Sequence, residues 1–251
     1  MSIHEPVQVS VIIVFLSLGF SGVFLSACAG DDPRDRRENT ATQAQIVSGS
    51  SPSASTPPSF GDHEGGEASY KIVMLGDSLT AGFGLLQDQA LPEQLGRVLA
   101  ERGHTVNVIN AGVSGDTTAN GLARYDWSVG STDGDMMIVA LGANDYLQGV
   151  APERVKANLS MIITRAKSDN MEVVIAGIET RGAELSPRDA AYGRIYQDVA
   201  TEADVLLYPA LLQGVRGNAE FLLPDALHPT GEGVEIMAMN LADFLDPVLP
   251  R

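Results

Sequence analysis

Apolar and polar positions divide the 251-residue chain into three parts. Residues 9–27 (VSVIIVFLSLGFSGVFLSA) form a nearly unbroken apolar run without a single charge, interrupted only by Ser and Gly. Its length is marginal for a bilayer span and long for the apolar core of a secretory signal. Residues 29–69 lose the pattern. Pro, Ser, Thr, Gly, Asp and Glu dominate there, as in SGSSPSASTPPS, and the charge run DDPRDRRE reads as solvated. Such a stretch cannot bury enough apolar surface to offset the entropy of ordering it, so it reads as a tether. From residue 70 onward the pattern becomes regular.

Short apolar runs at 71–75 (KIVML), 106–109, 136–141 (MMIVAL) and 172–176 (EVVIA), with a shorter one near 205–207, predict strands. Between and after them, 90–102, 117–125, 152–167, 188–203 and 233–245 predict helices. Leu91, Leu95, Val98 and Leu99 share one side of the first, and Pro152 occupies a tolerated first-turn position of the third. Strands apolar on both faces and alternating with helices indicate a parallel sheet covered on both sides. With right-handed crossovers, the expected fold class is α/β, a three-layer αβα sandwich around a central parallel sheet. In such sheets the ligand site lies beyond the carboxyl ends of the strands, which here means just after Leu75, Ile109, Leu141 and Ala176. The expected organisation is a signal over 1–27, a tether over 28–69 and one domain over 70–251.

Composition changes this picture in two ways. The chain carries 32 acidic and 16 basic residues, of which 24 and 13 fall from residue 70 onward. The acid excess therefore belongs mainly to the domain. It argues against nucleic acid as a partner and against attachment driven by anionic lipid headgroups. The single cysteine excludes an intramolecular disulfide and a Cys-rich zinc site. No His/Asp/Glu cluster has metal-ligand spacing, and neither a metal nor a cofactor is expected. Cys28 itself ends the sequence Leu25-Ser26-Ala27-Cys28, which resembles a bacterial lipobox: an apolar residue, two small ones, then the cysteine that receives the lipid. That predicts an exported lipoprotein facing the periplasm or the cell exterior, held to the membrane through Cys28. The opening MSIHEPVQVS lacks the Lys or Arg with which secretory signals usually begin. The alternative is an uncleaved apolar anchor with Cys28 incidental.

Small polar residues and glycines gather at three consecutive strand ends. Gly76-Asp77-Ser78-Leu79-Thr80-Ala81-Gly82 follows the first strand, Ser114-Gly115-Asp116-Thr117 the second, and Gly142-Ala143-Asn144-Asp145 the third; Asp225-Ala226-Leu227-His228-Pro229 lies near the C-terminus. A lone Gly-Asp-Ser is most often a turn or a helix cap. Four blocks in this order resemble the GDSL, or SGNH, hydrolase family, named for a Ser, Gly, Asn and His in separate blocks. SGDTTANGLAR and LGANDYLQG are similar to its bacterial thioesterase, lysophospholipase and arylesterase branch. The resemblance spans about 70–249 and implies the flavodoxin-like sandwich of that family.

A serine hydroxyl needs a base to act as a nucleophile at neutral pH. Ser78 stands where a strand turns into a helix, between Gly76 and Gly82. Of the four histidines, His4 falls in the signal, His63 in the tether, and His104 at the opposite end of the sheet, which leaves His228 as the base. Pro229 restricts the His228 backbone to extended conformations. Asp225 can fold back onto Nδ1 and fix its tautomer. The resemblance further implies an oxyanion hole from the Ser78 and Gly115 backbone N–H groups and the Asn144 amide. It implies a serine esterase working through an acyl-enzyme on short or medium acyl esters, lysophospholipids or acyl thioesters. Two other functions stay open: a carbohydrate O-deacetylase of the same family, and a non-catalytic surface lipoprotein that uses the fold for binding. Asp77, Asp116 and Asp145 read as loop scaffolding, and Met136, Met137, Met237 and Met239 as packing. Trp127 lines substrate or simply packs. Residues 178–189, expected to shape the acyl pocket, and Ala143, where Gly is commoner, depart from the family's usual pattern.

Overall fold

Among the described residues five short strands, each rich in β-branched or long apolar residues, form one parallel sheet, with the second strand in sequence at one edge followed by the first, third, fourth and fifth. The structure is a computed structural model that describes residues 69–178 and 186–250. The expectations for the apolar run, Cys28 and the tether, together with residues 179–185 of the pocket segment, lie outside the described residues. No helix among the described residues is long and apolar enough to cross a membrane.

The strands are β1 (Tyr70–Gly76), β2 (Val106–Gly112), β3 (Met136–Ala140), β4 (Glu172–Ala176) and β5 (Leu206–Tyr208). Alternate side chains of a strand point to opposite faces, so each strand feeds two cores. On one face Ile72, Met74, Met136, Ile138 and Val174 pack beneath α2 (Leu91–Glu101) and α7 (Gly231–Leu245). On the other, Val73, Leu75, Met137, Val139 and Ile175 pack beneath α5 (Pro152–Ser168) and α6 (Pro187–Ala203). The adjacent Met136 and Met137 thus serve opposite cores, both without exposed surface. This is the αβα sandwich the periodicity predicts, and the 2-1-3-4-5 order is the flavodoxin-like one.

Three differences from the predicted elements bear on the site. β2 runs three residues past the expected 106–109, because Asn110, Ala111 and Gly112 pair with Met74, Leu75 and Gly76. A helix of four residues, α1 (Ser78–Ala81), follows β1 directly, and one of six, α4 (Ala143–Gln148), follows β3 almost at once. α3 is confined to Thr118–Ala123, after which Asp126–Gly130 forms a wide π-helical turn. Among the described strands, β1 is flanked by β2 and β3, so the chain leaves it in one direction and later resumes on its other side. The switch point falls between β1 and β3, where a site is expected.

Candidate active site

At the end of β1 the chain turns within two residues. The Asp77 carboxylate accepts the Leu79 N–H at 3.0 Å and so caps α1, with Ser78 as the first helical residue. Gly82 ends the helix in the left-handed conformation, φ 79°. α1 lies so close to the end of β2 that a Cβ on Gly112 would come within 2.4 Å of the Ala81 nitrogen. The Ser78 hydroxyl is therefore held at the sheet's carboxyl edge by a cap, a tight turn and a close backbone contact.

His228 reaches Ser78 from 150 positions away in sequence, Nε2 to Oγ 2.9 Å, and its Nδ1 lies 2.7 Å from Asp225 Oδ2. Since Asp225 can only accept, Nδ1 carries the proton and Nε2 presents its lone pair to the serine. The loop that delivers the histidine is tightly bonded. Asp225 Oδ1 accepts the Leu227 and His228 N–H groups at 2.9 and 3.0 Å, and the Leu223 N–H donates to the His228 carbonyl at 2.7 Å. Leu222 and Pro229 form an antiparallel bridge, and Ala226 takes the left-handed conformation, φ 56°. The backbone N–H of His228, its ring N–H and the Leu227 N–H hold the Asp225 carboxyl down at about 2, so it stays ionised beside the imidazole. Phe83 packs its ring on His228 with centroids 4.4 Å apart.

Gly115 stands in an exposed turn at φ 89°, closed by the Asp116 N–H donating to the Val113 carbonyl at 3.1 Å. The Asn144 amide donates to the Asp116 carbonyl at 2.9 Å and, at 3.3 Å, to Asp77 Oδ2. Among the described residues no acceptor takes the Ser78 or Gly115 backbone N–H. Burial pushes the Asp77 carboxyl up to about 6, against the lowering effects of the Leu79 N–H and the His228 ring. Asp145 accepts the Thr118 N–H and hydroxyl, both at 2.7 Å, and ties α4 to α3. Asp77, Asp116 and Asp145 thus all serve as hydrogen-bonded scaffolding.

Ser78 and His228 open onto a cavity of about 210 Å³. Its lining is largely apolar, with Leu147, Leu212, Leu222 and Leu227 facing Tyr146, Tyr192 and Tyr196. Tyr192 and Tyr196 stand one helical turn apart on α6, so one face of that helix forms a wall. Trp127 is exposed and does not line this cavity. Sequence reasoning overlooked Phe83, the three tyrosines and Arg124. The tyrosine spacing on α6 and the position of Phe83 immediately after Gly82 were the available signals; Arg124 had none. His104 sits at the other end of the sheet, buried, its ring nitrogens 2.7 Å from Asp246 Oδ1 and 3.0 Å from the Pro250 carbonyl.

A parallel sheet with a serine, histidine and aspartate in relay at its switch point defines a serine hydrolase of the flavodoxin-like kind. The GDSL-like lipase/acylhydrolase family model matches residues 74–236. An arylesterase of Vibrio mimicus is 35% identical over 183 residues, 71% of this chain and 92% of the relative. The thioesterase 1/protease 1/lysophospholipase L1 of Escherichia coli (strain K12) is 29% identical over 182 residues, 72% of this chain and 86% of that protein. A solved structure of TesA matches with a TM-score of 0.68 at 31% identity, covering 71% of this chain and 99% of that one. The chain belongs to the GDSL-like lipase/acylhydrolase family and is a serine hydrolase acting on ester bonds.

Proposed function

We propose that the chain is an exported, lipid-anchored esterase that cleaves acyl esters or thioesters, lysophospholipids among them, through an acyl-enzyme on Ser78. The observation that carries this reading is the Asp225–His228–Ser78 relay, with contacts of 2.7 and 2.9 Å, opening onto an apolar cavity. In the first half-reaction Ser78 Oγ attacks the acyl carbonyl carbon while its proton passes to His228 Nε2. The oxyanion rests on the Ser78 and Gly115 N–H groups and on the Asn144 amide proton that is bound only loosely to Asp77. The imidazolium then protonates the departing alkoxide or thiolate. In the second half-reaction His228 takes a proton from water, the resulting hydroxide attacks the acyl carbon, and Ser78 leaves and recovers its proton. Asp225 fixes the imidazole tautomer and stabilises its charged form.

The leucine and tyrosine lining favours an acyl chain over an acetylated sugar. The names of the relatives, arylesterase and thioesterase/lysophospholipase, point the same way. Export and anchoring rest on the apolar run and on Leu25-Ser26-Ala27-Cys28. Ser78→Ala is expected to abolish p-nitrophenyl acyl ester hydrolysis while the protein stays folded, and a fluorophosphonate is expected to label Ser78 alone. Undiminished turnover in the alanine variant, or an adduct elsewhere, would overturn the mechanism.

A further inference from the structure

The proposed oxyanion donors come from the segments after three strands, two of them in short helices, and the third, Gly115, has almost no support of its own. A Cβ built on Gly115 would meet nothing within 4 Å, so the side-chain face of that residue is open. What fixes its N–H is Asp116, which is gripped at three points. Its N–H donates to Val113, its carbonyl accepts from Asn144, and its carboxylate accepts from the Arg124 Nε at 2.6 Å.

Arg124 is itself buried, with 7% of its surface exposed. Its Nη2 donates to the Gly76 carbonyl at 3.0 Å and to the Ala111 carbonyl at 2.8 Å. Gly76 closes β1 two residues before Ser78, and Ala111 is the penultimate residue of β2, paired with Leu75. One rigid, planar guanidinium therefore joins the end of β1, the end of β2 and the Gly115-Asp116 turn. Through the Asp116 carbonyl it also sets the seat of the Asn144 amide. The charge is balanced by Asp116, the Nη2 contacts are to carbonyls, and Arg124 does not line the cavity.

We propose that Arg124 is a positioning residue: by locking the Asp116 turn to the two strand ends, it holds the Ser78, Gly115 and Asn144 donors in one convergent arrangement. The inference rests on the oxyanion assignment made under the proposed function. Misplacing such donors by a fraction of an ångström weakens transition-state binding while leaving the acyl pocket intact. The fork matters as much as the charge, since a lysine offers one nitrogen to three acceptors in different directions.

The test is a double-mutant cycle on the full chain, with rates expressed per site titrated to completion by a fluorophosphonate. Arg124→Met is expected to lower kcat for a p-nitrophenyl acyl ester by about 10- to 100-fold with KM changed less than about twofold. The midpoint of the pH–rate profile should not move. Arg124→Lys should recover part of the rate. In an Asn144→Ala background the Arg124→Met effect should shrink by at least about threefold, since the two act on the same donors. If Arg124→Met fails to fold, Arg124→Lys and Asp116→Asn carry the same cycle. Wild-type kcat per site in the folded variants, or an undiminished effect in the Asn144→Ala background, would overturn the positioning role. Wild-type kcat in Asn144→Ala alone would overturn the oxyanion assignment beneath it, a failure visible without touching Arg124.

Discussion

Asp77 is the acid whose burial has the clearest thermodynamic consequence. It is 1% exposed, caps α1 through Oδ1 and takes the Asn144 amide on Oδ2, yet its carboxyl is pushed up to about 6 from an ordinary 3.8. A carboxyl whose folded pKa is raised contributes stability that is complete below the unfolded pKa and is lost as pH rises through the folded one. The shift of about 2 units is worth about 3 kcal/mol in all, at about 1.4 kcal/mol per unit, and about 2 kcal/mol of it is lost between pH 4 and pH 8. Asp225, held down at about 2, acts in the opposite sense and at lower pH: its contribution is present above 3.8 and is lost as pH falls towards about 2. The two windows separate if Asp77 alone is made non-ionisable. Urea unfolding of the wild type and of Asp77→Asn, from about pH 4 to about pH 8, should give free energies whose difference changes by about 2 kcal/mol, the wild type losing ground as pH rises. The amide also alters the contact with Asn144, which displaces the whole curve but not its slope. Parallel curves would show that burial does not hold Asp77 against its ionisation.

Two further outcomes are expected. Gly142 lies at φ 123°, and a Cβ there would come within 2.3 Å of the Tyr196 hydroxyl. Gly142→Ala should therefore cost about 2 kcal/mol or more and lower Tm by several degrees in a thermal melt; an unchanged Tm would refute the close contact. Cys28→Ala should either release active enzyme from the membrane fraction or block its maturation, and membrane attachment that persists in the variant would refute lipidation at that residue.

Much of the architecture was legible because its signals are local. EVVIA reads as a strand from its run of apolar, β-branched residues, and it spans the observed β4 residue for residue. The last three residues of β2 were illegible for the opposite reason. Asn110, Ala111 and Gly112 have little preference for extended structure and enter the sheet only because β1 offers a parallel partner. α1 and α4 are too short for any periodicity to register, and they exist because Asp77 and Gly142 start them at strand ends. At the site, Asp225 and His228 could be paired in advance because only two residues, Ala226 and Leu227, separate them. Arg124 could not be found, since one arginine in a polar helix reads as solvent-facing until the fold brings two strand ends and an aspartate around it.

The strand order also places Ser78, Gly115 and Asn144 on one half of the sheet and part of the cavity wall on the other. The serine, the Gly115 turn and Asn144 follow β1, β2 and β3, three strands that lie side by side. Ile178, Leu212 and Leu222, which shape the cavity, come from the segments after β4 and β5. The segment after β5 also carries Asp225 and His228 and is bound to Ser78 through them, whereas the described residues between β4 and α6 make none of these hydrogen bonds, so only the segment between β4 and α6 can be exchanged or lengthened without disturbing the relay. Change in substrate preference has a separate region of the chain in which to occur, and libraries aimed at new acyl groups belong there.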